Sequence, residues 1–328
     1  MNTKKIKAEG NSFVSFLMGN KALIILILLC TAMAMASPVF LTSKNLINIV
    51  RQICAGAVLS IGYTLVVGSG NFDLSIGNQL GLVGVVMAML SKTMPLPLAL
   101  LAGAALSVCL SITNAALINI FKLPAFIVTL AMMQVFRGST YLITKMVPVS
   151  NLPDSFVTIG QGYIGPIPIP IYIMVVTGIG MYLLMNRTLF GRHAIAMGGN
   201  IEAARVCGVN TKATRVGVYA TMGICVAIAA IILTGRSASA QIGAGQGMEM
   251  DTIAAVVIGG TSMKGGNGNI IGTIIGCLLV GVVNNGLNLT GIDANWQIIA
   301  KGMLILIAII LDVTSTNIIA KLKLRQQK

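Results

Sequence analysis

Apolar residues fill this chain in long runs, each closed by a short polar break. The runs cover approximately 22–40, 46–68, 72–91, 96–118, 124–145, 167–186, 215–236, 249–264, 267–289 and 296–316. A membrane-crossing helix needs about 20 mainly apolar residues, and most of the runs reach that length. The pattern predicts an all-α, polytopic membrane protein of about ten transmembrane helices. Run 249–264 is short and reads as a broken or re-entrant segment. A tight Gly/Asn turn is all that separates the second run from the third. The first run ends "AMAMASP", and Ala34 with Ala36 forms the A-x-A pattern of a cleavable signal. It reads instead as an uncleaved anchor, the common start of a polytopic inner-membrane chain.

Composition agrees with the runs. Of 328 residues, 56% are hydrophobic and only 9% are charged, whereas soluble domains carry about 25% charged residues. The 37 glycines suit close helix packing in lipid. A net charge of +14 raises the question of nucleic acid. No basic patch with interleaved aromatics is present, so nucleic acid is not an expected partner.

The bases set an orientation instead. With the N-terminus inside, Lys4, Lys5, Lys7, Lys21, Lys122, Arg187, Arg192, Arg205, Lys212, Arg215, Lys264, Lys321, Lys323, Arg325 and Lys328 fall on the cytoplasmic side. Lys44, Arg51, Lys92, Arg137, Lys145 and Arg236 fall outside, and Lys301 lies within the last run. That bias predicts both termini in the cytoplasm. The expected organisation is a cytoplasmic segment 1–21, a transmembrane domain 22–316 with a large inner loop 187–215, and a basic cytoplasmic tail 317–328. The largest outer loop is 146–166, rich in Pro and Gly.

Two stretches echo each other: "GSGNFDLSIG" (68–77) after the second run and "GAGQGMEMDTIAAVVIGG" (243–260) after the seventh. Each sets glycines before an acid and then an apolar run. An offset of five spans reverses direction, so the echo reads as an inverted 5+5 repeat, an arrangement common in transporters.

The inner loop gathers charge in an otherwise apolar chain. Asn200 is a good N-cap, Ile201–Cys207 are good helix formers, and Gly208 suits a left-handed C-cap. A helix this short, about 10 Å at the standard rise, cannot cross a membrane. Glu202 and Arg205 share a polar edge, with Ala203 and Ala204 between them. The helix is either an amphipathic interface helix or a docking element for a cytoplasmic partner. His193, the single histidine, reads as a solvated loop residue.

Asp73 reads as the cap of the third span or as a gating acid, since intramembrane acids are costly. Glu249 and Asp251 favour the dipole at a helix start, with structural and gating roles. Arg137 either snorkels to the outer interface or pairs with Glu249 or Asp251. A pathway for a hydroxylated solute needs uncharged hydrogen-bonding groups; Asn78, Gln79, Asn114, Gln134, Asn284, Asn285, Asn288 and Gln297 supply amides. Trp296 reads as an interface anchor or as a ring that stacks on a solute. The six cysteines form no CxxC pair and, with one histidine, predict neither a metal site nor catalysis. No G-x-x-x-x-G-K-[S/T] loop is present, so this chain is expected to bind no ATP. No relay of membrane acids and histidines suggests proton coupling.

"EAARVCG" (202–208) resembles the E-A-A-x-x-x-G loop of permeases from bacterial ATP-binding-cassette importers. "GNFDLSIG", "LPAFIVTLAMMQVFRG", "FGRHAIAMGGN", "GQGMEMDTIAAVVIGGTSMKGGNG" and "NNGLNLTGI" resemble further motifs of the ribose-type branch, in order, over roughly 40–312. Asn71-Phe72 stands where that branch has Gly-Ile, and Met248 where it has an aromatic residue. The resemblance implies a coupling helix at 200–208, a separate ATPase subunit carrying ATP and magnesium, an extracytoplasmic sugar-binding protein, a second permease copy and a monosaccharide substrate. An ATP-independent transporter or facilitator is the alternative, and a membrane enzyme would need a catalytic constellation that the chain lacks.

Overall fold

The computed structural model describes residues 21–291 and nine separate positions between Asp293 and Ile310. The helices are α1 (Lys21–Ala36), α2 (Ser43–Gly68), α3 (Ile76–Leu90), α4 (Leu96–Phe121), α5 (Ala125–Thr144) and α6 (Asp154–Gln161). A two-residue hairpin follows, β1 (Tyr163–Ile164) with β2 (Ile167–Pro168), antiparallel with Tyr163 opposite Pro168. Then come α7 (Ile169–Arg187), α8 (Leu189–Gly199), α9 (Ile201–Val206), α10 (Thr211–Ser237), α11 (Met248–Ile258) and α12 (Ile270–Leu289).

Local chemistry sets many of the starts. Thr42, Asn210 and Asn269 cap α2, α10 and α12 by accepting backbone amides three residues on, at 3.4, 3.0 and 2.9 Å. Pro95, Pro124, Pro153 and Pro168 stand at the entry of α4, α5, α6 and α7. Proline has no amide hydrogen, so no donor is left unmet there.

Six of these helices, α2, α4, α5, α7, α10 and α12, are long and apolar enough to cross a membrane. The described chain is a mostly helical, multi-pass arrangement, as the apolar runs predict. Several boundaries differ. The third span begins at Ile76, because 70–75 leave the helical path. The eighth is only the 11-residue α11, after which a glycine-rich turn runs to Asn269. Residues 146–166 hold α6 and β1, and residues 187–215 hold α8 as well as α9. Segment 1–20, the tail and most of the tenth run lie outside the described residues.

The centre is α2, whose residues 57–68 are all buried. It runs antiparallel to α12, joined by Thr64 and Thr273 hydroxyls at 2.8 Å and by a reciprocal Asn45–Asn285 amide pair at 3.0 and 2.9 Å. In the same way α4 runs antiparallel to α10, with Ser107 donating to the Gly223 carbonyl at 2.7 Å. Where α2 crosses α10, a Cβ on Gly62 would stand 2.7 Å from the Cys225 sulfur, a contact that only hydrogen permits. Tyr63, Tyr219, Leu59, Ile61 and Met222 are fully enclosed. Apolar side chains also face outward, such as Leu101, Phe126, Ile127, Val176 and Ile179. In water this surface is a liability; in a bilayer it is the required coat, because hydrocarbon offers no hydrogen bonds.

The Asn45–Asn285 pair is measurable as a coupling. A double-mutant cycle on Asn45→Ala and Asn285→Ala, read by unfolding in lipid or detergent, should return about 0.6–1.7 kcal/mol of interaction. Zero coupling would mean that the amides are separately solvated.

Candidate functional site

Two features at opposite ends of the bundle carry functional weight, and a polar network lies between them. The first is a cavity of about 560 Å³ among α2, α11, α12 and the end of α10, within the range of about 300–1,000 Å³ typical of small-molecule sites. Its polar lining comes from Asn48, Arg51, Gln52, Arg236, Asp251 and Asn284, with Ser60 and Thr252 deeper. On α2 the residues Asn48, Gln52, Gly56 and Ser60 recur every fourth position, which places them on one helix face. Arg51 also borders a second cavity with Tyr163 of β1, and its guanidinium carbon sits 5.8 Å from the Tyr163 ring centre. Arg236 donates to the Gln52 carbonyl at 2.9 Å, while Gln161 of α6 donates to the Arg236 carbonyl at 3.0 Å. The Nε of Arg51 and the Oδ1 of Asn284 are buried and find no partner among the described residues. The cavity therefore offers open donors and acceptors to a polyhydroxylated guest.

The second feature is α9, at the end where α2 finishes and α10 begins. Asn200 caps it, accepting the Ala203 amide at 2.9 Å. Gly208, at φ 85°, closes it: its amide bonds to Arg205 and the Val209 amide to Ala204, both at 3.0 Å. This is the Schellman pattern. Ala204 faces inward at 5% exposure. Glu202, Ala203, Arg205 and Val206 face out, and Arg205 pairs with Glu202 at 3.1 Å. An exposed ion pair of this kind adds little stability, so the outward face is free to engage another surface. His193 is exposed on α8.

The network occupies the break 70–75. Asp73 is wholly buried, and its Oδ1 accepts the Ser75 amide at 2.9 Å and the Ser75 hydroxyl at 2.5 Å. Asn114 donates to the same hydroxyl at 2.9 Å. Asp73 does not cap α3 directly, contrary to one sequence reading. The N-cap position is Ser75, and Asp73 shapes the turn before it. Asn78 is buried in the first turn of α3, and Gln79 donates to the Ser107 carbonyl and the Ser111 hydroxyl of α4. Glu249 is buried at the start of α11 with its Oε2 against Gly77, near the positive ends of two helices. Arg137 is exposed and donates its Nε to Tyr141 at 2.7 Å; it forms no ion pair with Glu249.

The structure thus brings Asp251 and Asn284 to the cavity and Asp73 to the interior network, with Asn78 and Glu249 buried at the starts of α3 and α11 beside it. It sets Asn285 in a helix-to-helix pair, and Arg137 on the outside of α5. Sequence reasoning missed Asn48, Arg51, Gln52, Thr252 and Arg236 as lining residues. The four-residue repeat on α2 was the available signal. No group of His, Cys, Asp or Glu suited to hold a metal occurs among the described residues.

A multi-pass helical bundle with a partly polar, open cleft near one end and a short exposed helix near the other is consistent with a membrane permease. Residues 45–309 match the family described as branched-chain amino acid transport system / permease component, and the chain belongs to that family. It is 40% identical over 290 residues to the ribose import permease protein RbsC of Bacillus subtilis (strain 168), covering 88% of this chain and 90% of that one. It is 37% identical over 317 residues to the ribose import permease protein RbsC of Escherichia coli (strain K12), covering 95% and 99%. Identity is 31% to the xylose transport system permease protein XylH of Haemophilus influenzae (strain ATCC 51907 / DSM 11121 / KW20 / Rd), covering 84% and 90%. No solved structure matches the chain. The ribose-type resemblance read from the motifs is borne out.

The network makes a stability prediction. Ser75→Ala leaves Asp73 Oδ1 and the Asn114 amide short of a partner, and each buried orphan costs about 1–3 kcal/mol. The purified variant should melt measurably lower than the wild type, whereas Ser139→Ala on α5, whose hydroxyl bonds only the Val135 carbonyl, should not.

Proposed function

We propose that this chain is the membrane-spanning subunit of an ATP-driven importer that moves a monosaccharide, ribose or a close relative, by alternating access. The observation that carries the energy-coupling part is α9, a capped two-turn helix with an open outward face and no role in spanning. The chain has no phosphate-binding loop of its own, so ATP and magnesium belong to a separate ATPase subunit. That subunit receives α9 in a surface groove, with Asn200, Glu202, Ala203, Ala204, Arg205 and Gly208 setting the shape of the knob. A sugar-binding protein on the other side docks on the outer loops, where α6 and the hairpin lie. Two permease copies flank the pathway.

The cavity is the substrate's resting place in this reading. Asn48, Gln52, Thr252 and Asn284 match hydroxyls without a fixed charge, and Arg51 and Arg236 hold its rim. Asp73, Asn78 and Glu249 act as gating elements around the breaks, and Arg137 as an outer-face residue. The chain sits in the inner membrane of a bacterium. Both termini lie in the cytoplasm, on the side of α9, flanking one transmembrane domain of ten spans in an inverted repeat. The packing supports that symmetry: exchanging the second span with the seventh and the fourth with the ninth converts the α2–α12 pair into the α10–α4 pair.

The decisive experiment reconstitutes the permease in vesicles with and without its ATPase and binding protein, and measures sugar uptake. Uptake should require all components and ATP; uptake by the permease alone identifies a facilitator instead. Glu202→Lys and Gly208→Pro should each abolish co-purification of the ATPase while the permease still reaches the membrane. Wild-type association in both would remove α9 from its proposed role.

A further inference from the structure

The helix α9 is tied on both of its flanks to one short segment, Gly68–Asp73, which breaks the chain between α2 and α3. On the N-terminal flank, α8 ends in Gly198 and Gly199, with Asn200 alone before α9. Gly198 lies backbone to backbone on the break: a Cβ there would stand 2.8 Å from the Ser69 carbonyl carbon and 2.8 Å from the Gly266 nitrogen. The Gly266 amide itself donates to the Gly68 carbonyl at 2.9 Å. On the C-terminal flank, four residues separate the end of α9 from the start of α10. Its Arg215 donates Nε to the Asn71 Oδ1 at 3.0 Å and Nη1 to the Asn119 Oδ1 at 2.6 Å. One turn on, Tyr219 donates to the Phe72 carbonyl at 2.7 Å.

We propose that Arg215 and Gly198 are positioning residues for transport: they form two arms that carry displacement of α9 into the Gly68–Asp73 break. This rests on the importer reading given above. The arms differ in chemistry. Gly198 acts as a packed hinge plate with no side chain to slip. Arg215 acts as a planar fork fixed by two acceptors on two different elements, a geometry that a lysine ammonium cannot reproduce. A push on α9 from outside thus cannot be absorbed by its own loop, because both exits of the loop are anchored to the same six residues.

The test uses the complete transporter in vesicles and reports three quantities: ATPase co-purification, ATP hydrolysis, and sugar uptake per ATP hydrolysed. Arg215→Met should leave co-purification and hydrolysis near wild type while uptake per ATP falls by about tenfold or more, since two charge-assisted bonds are lost. Arg215→Lys should recover part of that loss. Gly198→Ala should uncouple in the same sense, and Gly180→Ala, where a Cβ meets nothing within 4 Å, should not. Should Arg215→Met fail to accumulate in the membrane, the half-buried Asn119→Ala leaves the arginine in place but removes one of its acceptors and the Asn119 bond to the Lys212 carbonyl of α10; its uptake per ATP should still fall. Unchanged uptake per ATP in Arg215→Met or Asn119→Ala overturns the proposal. So does loss of uptake in strict proportion to loss of ATPase binding. Uptake by the wild type without its ATPase overturns the importer reading instead, and is read from the control vesicles alone.

Discussion

The structure depends on satisfying backbone that leaves the helical path inside the bundle. Lipid supplies no hydrogen bonds, so non-helical backbone at depth persists only where protein supplies them. In the break after α2 the bookkeeping is nearly complete. Gly70 and Asn71 amides return to the Val67 and Val66 carbonyls at 2.9 and 3.1 Å, a Schellman closure with Gly70 at φ 73°. The Asp73 amide donates to Tyr63, Leu74 to Thr129, and Ser75 to Asp73 itself. The Phe72 carbonyl takes the Tyr219 hydroxyl. Helices α2, α5 and α10 therefore each contribute a side chain to six residues of loop, and their mutual positions follow from it.

The break after α11 is built alike. Gly260 and Thr261 amides return to Val257 and Val256, with Gly260 at φ 88°. Asn269 then spans the turn, donating its amide to Thr261 and its side chain to the Gly259 carbonyl. The two closures meet at the Gly266–Gly68 bond. The side chains that bond backbone groups at the two breaks are hydroxyls and carboxamides, namely Tyr63, Thr129, Tyr219, Thr261 and Asn269, which satisfy the backbone without the desolvation that a free charge incurs. Asp73 is the exception, and hydrogen bonds from Ser75 rather than an opposite charge hold its Oδ1.

Much of this was legible in the chain. Apolar run length located every long helix, because the bilayer imposes one length on all of them. The short helix α9 was legible to its caps, since Asn200 and Gly208 are local signals that need no tertiary context. What stayed hidden is relational. Asn285 looks like any intramembrane amide until Asn45 is seen opposite, 240 residues away. Asp73 looks like a helix cap because sequence does not reveal that Ser75 holds that position. In the sequence α8 looks like loop because its glycines and charges mask a helix that is stabilised by packing on α7 and α9. Arg215 looks in sequence like one more loop base, although its side chain reaches Asn71 and Asn119.

The positions of the two breaks connect the ends of the molecule. Helix α11 has 11 residues, about 16 Å at the standard rise. Its first two turns give Met248, Asp251, Thr252 and Ala255 to the cavity, and its last residues enter the glycine turn that bonds to Gly68. A rigid rod of that length passes a shift along its axis from one end to the other. Its inner packing is also unforgiving, since a Cβ on Gly259 would stand 2.5 Å from Thr273 of α12. Well-packed interiors move between discrete arrangements rather than deforming smoothly. On the importer reading, the glycine junction and the cavity wall are two ends of one short lever, and a small change at the exposed α9 end becomes a change of shape around the bound sugar.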